Sequence, residues 1–174
     1  MSASAQPAAR SDRPNLEQKK KLAKALLAAV RRLDGRQAMR FTWNLPRFRG
    51  KSGQDVIRAG VTLADAQHVI ARESGFESWP LLKEYVRQLD AEPDGPVAAF
   101  EDAVRAIIRG NVAELRRLLG EYEGLATMRS PRQHRAVLPH YVAANGVENE
   151  HQITPPNAVE VARVLFDGGA DAVV

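Results

Sequence analysis

The chain has 174 residues, 44% hydrophobic and 26% charged, which is enough apolar material for one domain or two small ones. It contains no cysteine, so disulfides, thiol nucleophiles and thiolate metal sites are excluded, and a reducing compartment is fitting. The net charge of +4 is uneven: residues 1–60 hold 14 Lys/Arg against 4 Asp/Glu, and residues 61–174 hold 11 against 17. Such a split marks either a basic arm for nucleic acid or membrane surface, or two segments facing each other across one fold; the second is favoured.

Residues 1–14 read as a disordered tail. "MSASAQPAARSDRPN" is small, polar and proline-containing, with no apolar signal-peptide core. The first apolar run, "ALLAAV" (Ala25 to Val30), is far too short to span a membrane. The protein is therefore expected to be cytoplasmic.

Residues 15–92 form an N-terminal helical region. Leu22, Leu26, Ala29, Val30 and Leu33 make a helical stripe, with Gly35 as the expected stop. "RQAMRFTWNLPRF" predicts a short helix running into Pro46, and Arg49 to Gln54 a flexible loop. A helix over about Thr62 to Ser74 is capped by Thr62, with Asp65 supporting the cap and Gly75 ending it in the left-handed conformation. Ser78 caps the next helix, with Trp79 and Pro80 in its first turn and Leu81, Leu82, Tyr85, Val86 and Leu89 continuing it. Trp79 is expected to pack beneath this corner with Phe76. Residues 93–96, inside "DAEPDGP", are the linker.

Residues 97–174 have a different rhythm. "FEDAVRAIIRGNVAELRRLL" and "LPHYVAANGVE…NAVEVARVLFDGGAD" each give a small-residue helix, a glycine, and a helix ending in paired apolar residues. Gly110 and Gly146 stand 36 residues apart, near the period of a helical solenoid. These residues resemble degenerate ankyrin repeats, about two in number. The second copy carries most of the likeness: His140, Ala143, Gly146, Val161, Val164-Leu165-Phe166 and the closing Gly169-Ala170-Asp171. "LADAQHVIARESGFESWPLLKEYV" resembles a segment ahead of the repeats in a bacterial group of ankyrin-repeat proteins. The resemblance implies an all-α helical solenoid that serves as a protein-binding scaffold, with no agreed enzymatic activity. It also implies that His140 bonds to backbone and holds a turn, and that Gly146, Gly169 and Asp171 are structural.

The second copy departs from the pattern. Pro139 comes one position late, and an insertion of about 11 residues, near 147–157, separates its two helices. Thr154-Pro155-Pro156 is expected to restart the helix, and the inserted loop to lie at the binding surface. The chain ends in "GGADAVV", just after a repeat, so it is expected to be a fragment or to have its last repeat covered by a partner.

Candidate chemistry is sparse. His68, His134, His140 and His151 have no metal-ligand spacing, and no serine sits in a G-x-S-x-G setting. "RGKSGQ" lacks the first glycine of a phosphate loop, since position 45 is Leu. No cofactor, metal or catalytic residue is assigned, and the protein is not expected to be an enzyme. "RFTWNLPRFRGKSG" (Arg40 to Gly53) interleaves Phe41, Trp43 and Phe48 with Arg40, Arg47, Arg49 and Lys51, a mixture able to grip single-stranded nucleic acid. The favoured alternative packs the aromatics inward and leaves the cations in solvent. By resemblance, the segment before the second repeat projects as a contact hairpin. The expected partner surface is therefore Arg129, Arg132, Arg135, Tyr141, Asn145, Glu148 and Glu150. The expected function is protein–protein interaction, with nucleic-acid binding by the basic first third as the alternative.

Overall fold

A computed structural model describes residues 13–143, 148 and 153–171, and these are helical with no strand among them. Eight α-helices follow in order: α1 Leu16–Arg31, α2 Gly35–Asn44, α3 Gly53–Ala59, α4 Leu63–Glu73, α5 Trp79–Ala91, α6 Pro96–Ile108, α7 Val112–Glu121 and α8 Ala158–Asp167. Short 3-10 turns lie at Pro46–Phe48, Leu125–Thr127 and Leu138–Tyr141. None of the described helices is long and apolar enough to cross a membrane.

The chain divides into two compact units, one over Pro14–Val86 and the other from Arg87 onward together with Arg13. The division falls inside α5, and not at the expected 93–96 linker. Arg13, assigned to the tail, is held by Asp102 through two hydrogen bonds of 3.0 and 2.6 Å and donates to the Pro93 carbonyl at 2.7 Å.

In the Pro14–Val86 unit, α1 packs on α4, and α2 on α3 and α4. Ala23, Leu26, Val30, Phe41, Phe48, Val56 and Val69 form its core, with Trp79 half-buried against it. Helix starts follow the side-chain chemistry. Thr62 and Asp65 make a reciprocal capping box on α4, and Ser52 and Asp55 make another on α3. The expected loop at Arg49 to Gln54 is therefore shorter, because Ser52 starts a helix. Gly75 (φ 84) ends α4, with Phe76 N–H donating to the Ala71 carbonyl, the six-to-one bond of a Schellman turn. Gly35 does not end α1. Leu33 takes the left-handed position (φ 66), Asp34 N–H bonds to the Ala29 carbonyl, and Gly35 begins α2 under an Asp34 cap.

In the other unit, Phe100, Ala103, Val104, Ile107, Leu115, Leu138, Tyr141, Val161 and Leu165 form the core. Helix α6 packs on α7 and on the Leu138–Tyr141 turn; α8 packs on α7 and on that same turn. Gly110 (φ 65) and Gly169 (φ 92) close α6 and α8 with the same six-to-one bonds. Helix α8 begins at Ala158, three residues later than the Thr154 cap predicts, because Asn157 occupies the cap position.

Candidate functional site

Segment 128–136 was expected to project as a hairpin. It closes instead into a tight loop: Ser130 N–H donates to the Ala136 carbonyl at 2.8 Å, and Arg135 adopts a left-handed φ of 53. Arg132 N–H bonds to Ser130 Oγ at 3.2 Å, and the Arg132 side chain turns inward. There the guanidinium meets Glu101 of α6 and, at 3.1 Å, Glu148. Arg132, Glu101 and Glu148 are 3%, 1% and 2% exposed.

Glu148 collects further donors. Tyr141 hydroxyl donates to its Oε1 at 2.6 Å, and His134 Nε2 lies 2.6 Å from the same oxygen. Ala136 N–H donates to His134 Nδ1 at 3.0 Å, so the ring proton sits on Nε2 and points at Glu148. Burial pushes the Tyr141 hydroxyl far above its ordinary pKa, and the neighbouring Glu148 charge adds to that. The cluster is closed to solvent, so its chemistry is cohesion. It pins the 128–136 loop and Glu148 to α6, and an uncompensated carboxylate there would be costly.

Three residues of the expected partner surface are thereby corrected. Arg132, Tyr141 and Glu148 are buried because each satisfies another's charge or hydrogen-bonding capacity. Arg129 and Arg135 are exposed. Asn145, Gly146 and Glu150 lie outside the described residues, as does the inserted loop except at Glu148 and from Ile153 onward. His140 is exposed and its Nδ1 accepts the Val137 N–H at 3.2 Å. Asp171 is exposed beside the Gly169 turn. Ser78 Oγ stands 3.5 Å from Leu81 N, a long cap contact. Among the described residues no group of acids and histidines could hold a metal ion.

Glu101 was missed, although α6 carries the signal. It stands among Ala98, Val104 and Ile107 in a helix otherwise apolar at its buried positions, and an acid there demands a buried cation. Also missed was the outer face of α8. Val161, Val164 and Leu165 face the core, whereas Val159 and Phe166 remain 68% and 45% exposed. Val159, Ala162, Arg163 and Phe166 share that outward face at helical spacing. Beside it, Arg116, Leu119, Gly120, Val164, Asp167 and Gly168 line a shallow groove between α7 and α8.

The basic stretch of the Pro14–Val86 unit divides. Phe41 and Phe48 are in the core, but Trp43 is 73% exposed. Arg40 is held by Glu73 at 2.9 and 2.5 Å, and Arg47 by Asp65 at 2.7 Å while it stacks on Phe48. Compared with family models, curated proteins and solved structures, the chain matches none, so its function rests on its own geometry.

Proposed function

We propose that this chain is a protein-interaction module of ankyrin type, with no catalytic activity of its own. The order of packing supports the reading: α6 lies on the Leu138–Tyr141 turn and α7 on α8, first element on first and second on second. Stacked helix pairs bury a shared face in this way, and their outermost helix then presents a surface. Glycine turns also stand where the resemblance expects them: Gly110 after the first helix of the first segment and Gly169 at the close of the second.

The observation that carries the proposal is the apolar outer face of α8. Two large side chains, Val159 and Phe166, stand in solvent with Arg163 between them. Neither Arg163 nor Arg116 of the adjoining helix makes an ion pair among the described residues, so the face combines apolar area with available positive charge. Its fitting occupant is a segment of another protein with apolar side chains flanked by carboxylates. Arg129 and Arg135 are further exposed cations of the same unit.

The test is site-specific photo-crosslinking in the native cell, with a photoreactive side chain at position 166 of the full chain. The expected result is one hetero-adduct, lost in Arg163→Glu, whose crosslinked segment is apolar and acidic. An adduct between two copies of this chain, or one indifferent to Arg163→Glu, would overturn the proposal.

A further inference from the structure

Trp43 is the most exposed large apolar side chain among the described residues, at 73%. Its neighbours in sequence, Phe41 and Phe48, are buried, so its exposure does not come from a loosely packed region. Among the described residues its indole makes no hydrogen bond or ring contact. A lone indole in solvent is unfavourable for a helix that could carry a polar residue there.

The stretch that carries it, between Asp34 and Asp55, is basic. From Gly35 to Gln54 there is no acid, and there are five cations: Arg36, Arg40, Arg47, Arg49 and Lys51. Glu73 and Asp65 neutralise Arg40 and Arg47. Arg36, Arg49 and Lys51 are exposed and carry no ion pair among the described residues. Across Pro14–Val86 the chain holds 14 Lys/Arg against 7 Asp/Glu.

The backbone brings these cations to the indole's helix. Arg36 precedes Trp43 by seven residues, two helical turns, so both project from one face of α2 about 10 Å apart along its axis. A Cβ on Gly53 would lie 2.4 Å from the Gly35 carbonyl oxygen, so the chain after the Pro46–Phe48 turn returns to the start of α2. Arg49 and Lys51 lie on that return path, beside the helix.

We propose that this face of α2, with the Arg49–Lys51 segment, binds single-stranded nucleic acid by stacking a base on Trp43. An aromatic face takes any base, and the cations follow the phosphates, so the site has little sequence preference. A protein partner is the poorer fit: interface tryptophans sit within an apolar surround, and the nearest exposed chain neighbours here are Pro46 and Arg47. This surface belongs to the Pro14–Val86 unit, and the inference does not rest on the reading of α8.

The experiment uses the full chain and short labelled oligothymidine and oligouridine, read by anisotropy and by tryptophan emission. Both single strands are expected to bind at low salt, with affinity falling steeply as salt rises and with Trp43 emission quenched. The stronger of the two identifies DNA or RNA as the natural ligand. Trp43→Ala is expected to weaken binding roughly tenfold and Trp43→Phe to restore most of it. Circular dichroism and the remaining Trp79 emission check that the variants fold. No binding at low salt, binding unchanged in Trp43→Ala, or preference for a duplex or for anionic phosphatidylserine vesicles would overturn the proposal.

Discussion

The Asn157 side-chain amide donates to the Gly110 carbonyl at 3.0 Å, tying the cap of α8 to the turn between α6 and α7 across 47 residues. Gly110 permits this in two ways. Its φ of 65 is strained for any other residue, and a Cβ there would stand 2.1 Å from Asn157 Oδ1. Gly110→Ala is expected to destabilise the protein by about 3 kcal/mol in urea unfolding, from backbone strain plus overpacking. Asn157→Ala alone should cost about 1 kcal/mol. In the double variant the clash disappears, so the two costs should fall short of adding.

Arg132 and Arg135 stand three residues apart in one basic segment, yet the fold separates them completely. Arg132→Ala leaves Glu101 and Glu148 buried without their shared cation, and should cost about 3–5 kcal/mol. Arg135→Ala removes an exposed side chain and should change stability by less than about 0.5 kcal/mol. Equal effects in thermal and urea unfolding would contradict the buried cluster.

Leu33 occupies a left-handed helix end with its side chain in solvent. A leucine there pays conformational strain without gaining packing. Leu33→Gly is expected to raise stability by about 0.5–1 kcal/mol, even though glycine also loosens the unfolded chain. A lower melting temperature would count against this geometry.

Asp65 supplies an acid limb to the stability profile. Burial pushes its carboxyl up, but the Thr62 N–H, the Thr62 hydroxyl and the Arg47 guanidinium together outweigh burial and hold it below the usual carboxylate range. Its contribution is therefore fully present above the unfolded value of about 3.9 and is lost as pH falls through the lower folded value. Asp65→Ala should cost about 1 kcal/mol at neutral pH, with the difference from the parent narrowing in acid.

The all-helical class and several helix ends were legible in the sequence because their determinants are local. Thr62 with Asp65, Gly75 after α4 and Gly110 after α6 act within a few residues of the ends they set. Gly35 misled for the converse reason: the left-handed position fell to Leu33, a residue with no such preference, and the glycine served α2. The fate of Arg132 was not legible. Its burial depends on Glu101, 31 residues earlier, and on Glu148, 16 residues later, and no periodic pattern in "MRSPRQHRA" separates an inward arginine from an outward one. Trp43 was half legible. The stretch showed aromatics among cations, but which aromatics would turn inward depended on the packing of α2 against α3 and α4.

The most direct measurement of the proposed function is calorimetric titration of the full chain with the segment crosslinked at position 166. An interface centred on α8 predicts a negative heat-capacity change, and at least tenfold weaker binding in Phe166→Ala with folding intact. Binding of undiminished affinity in Phe166→Ala and Val159→Ala alike would contradict α8 as the docking face.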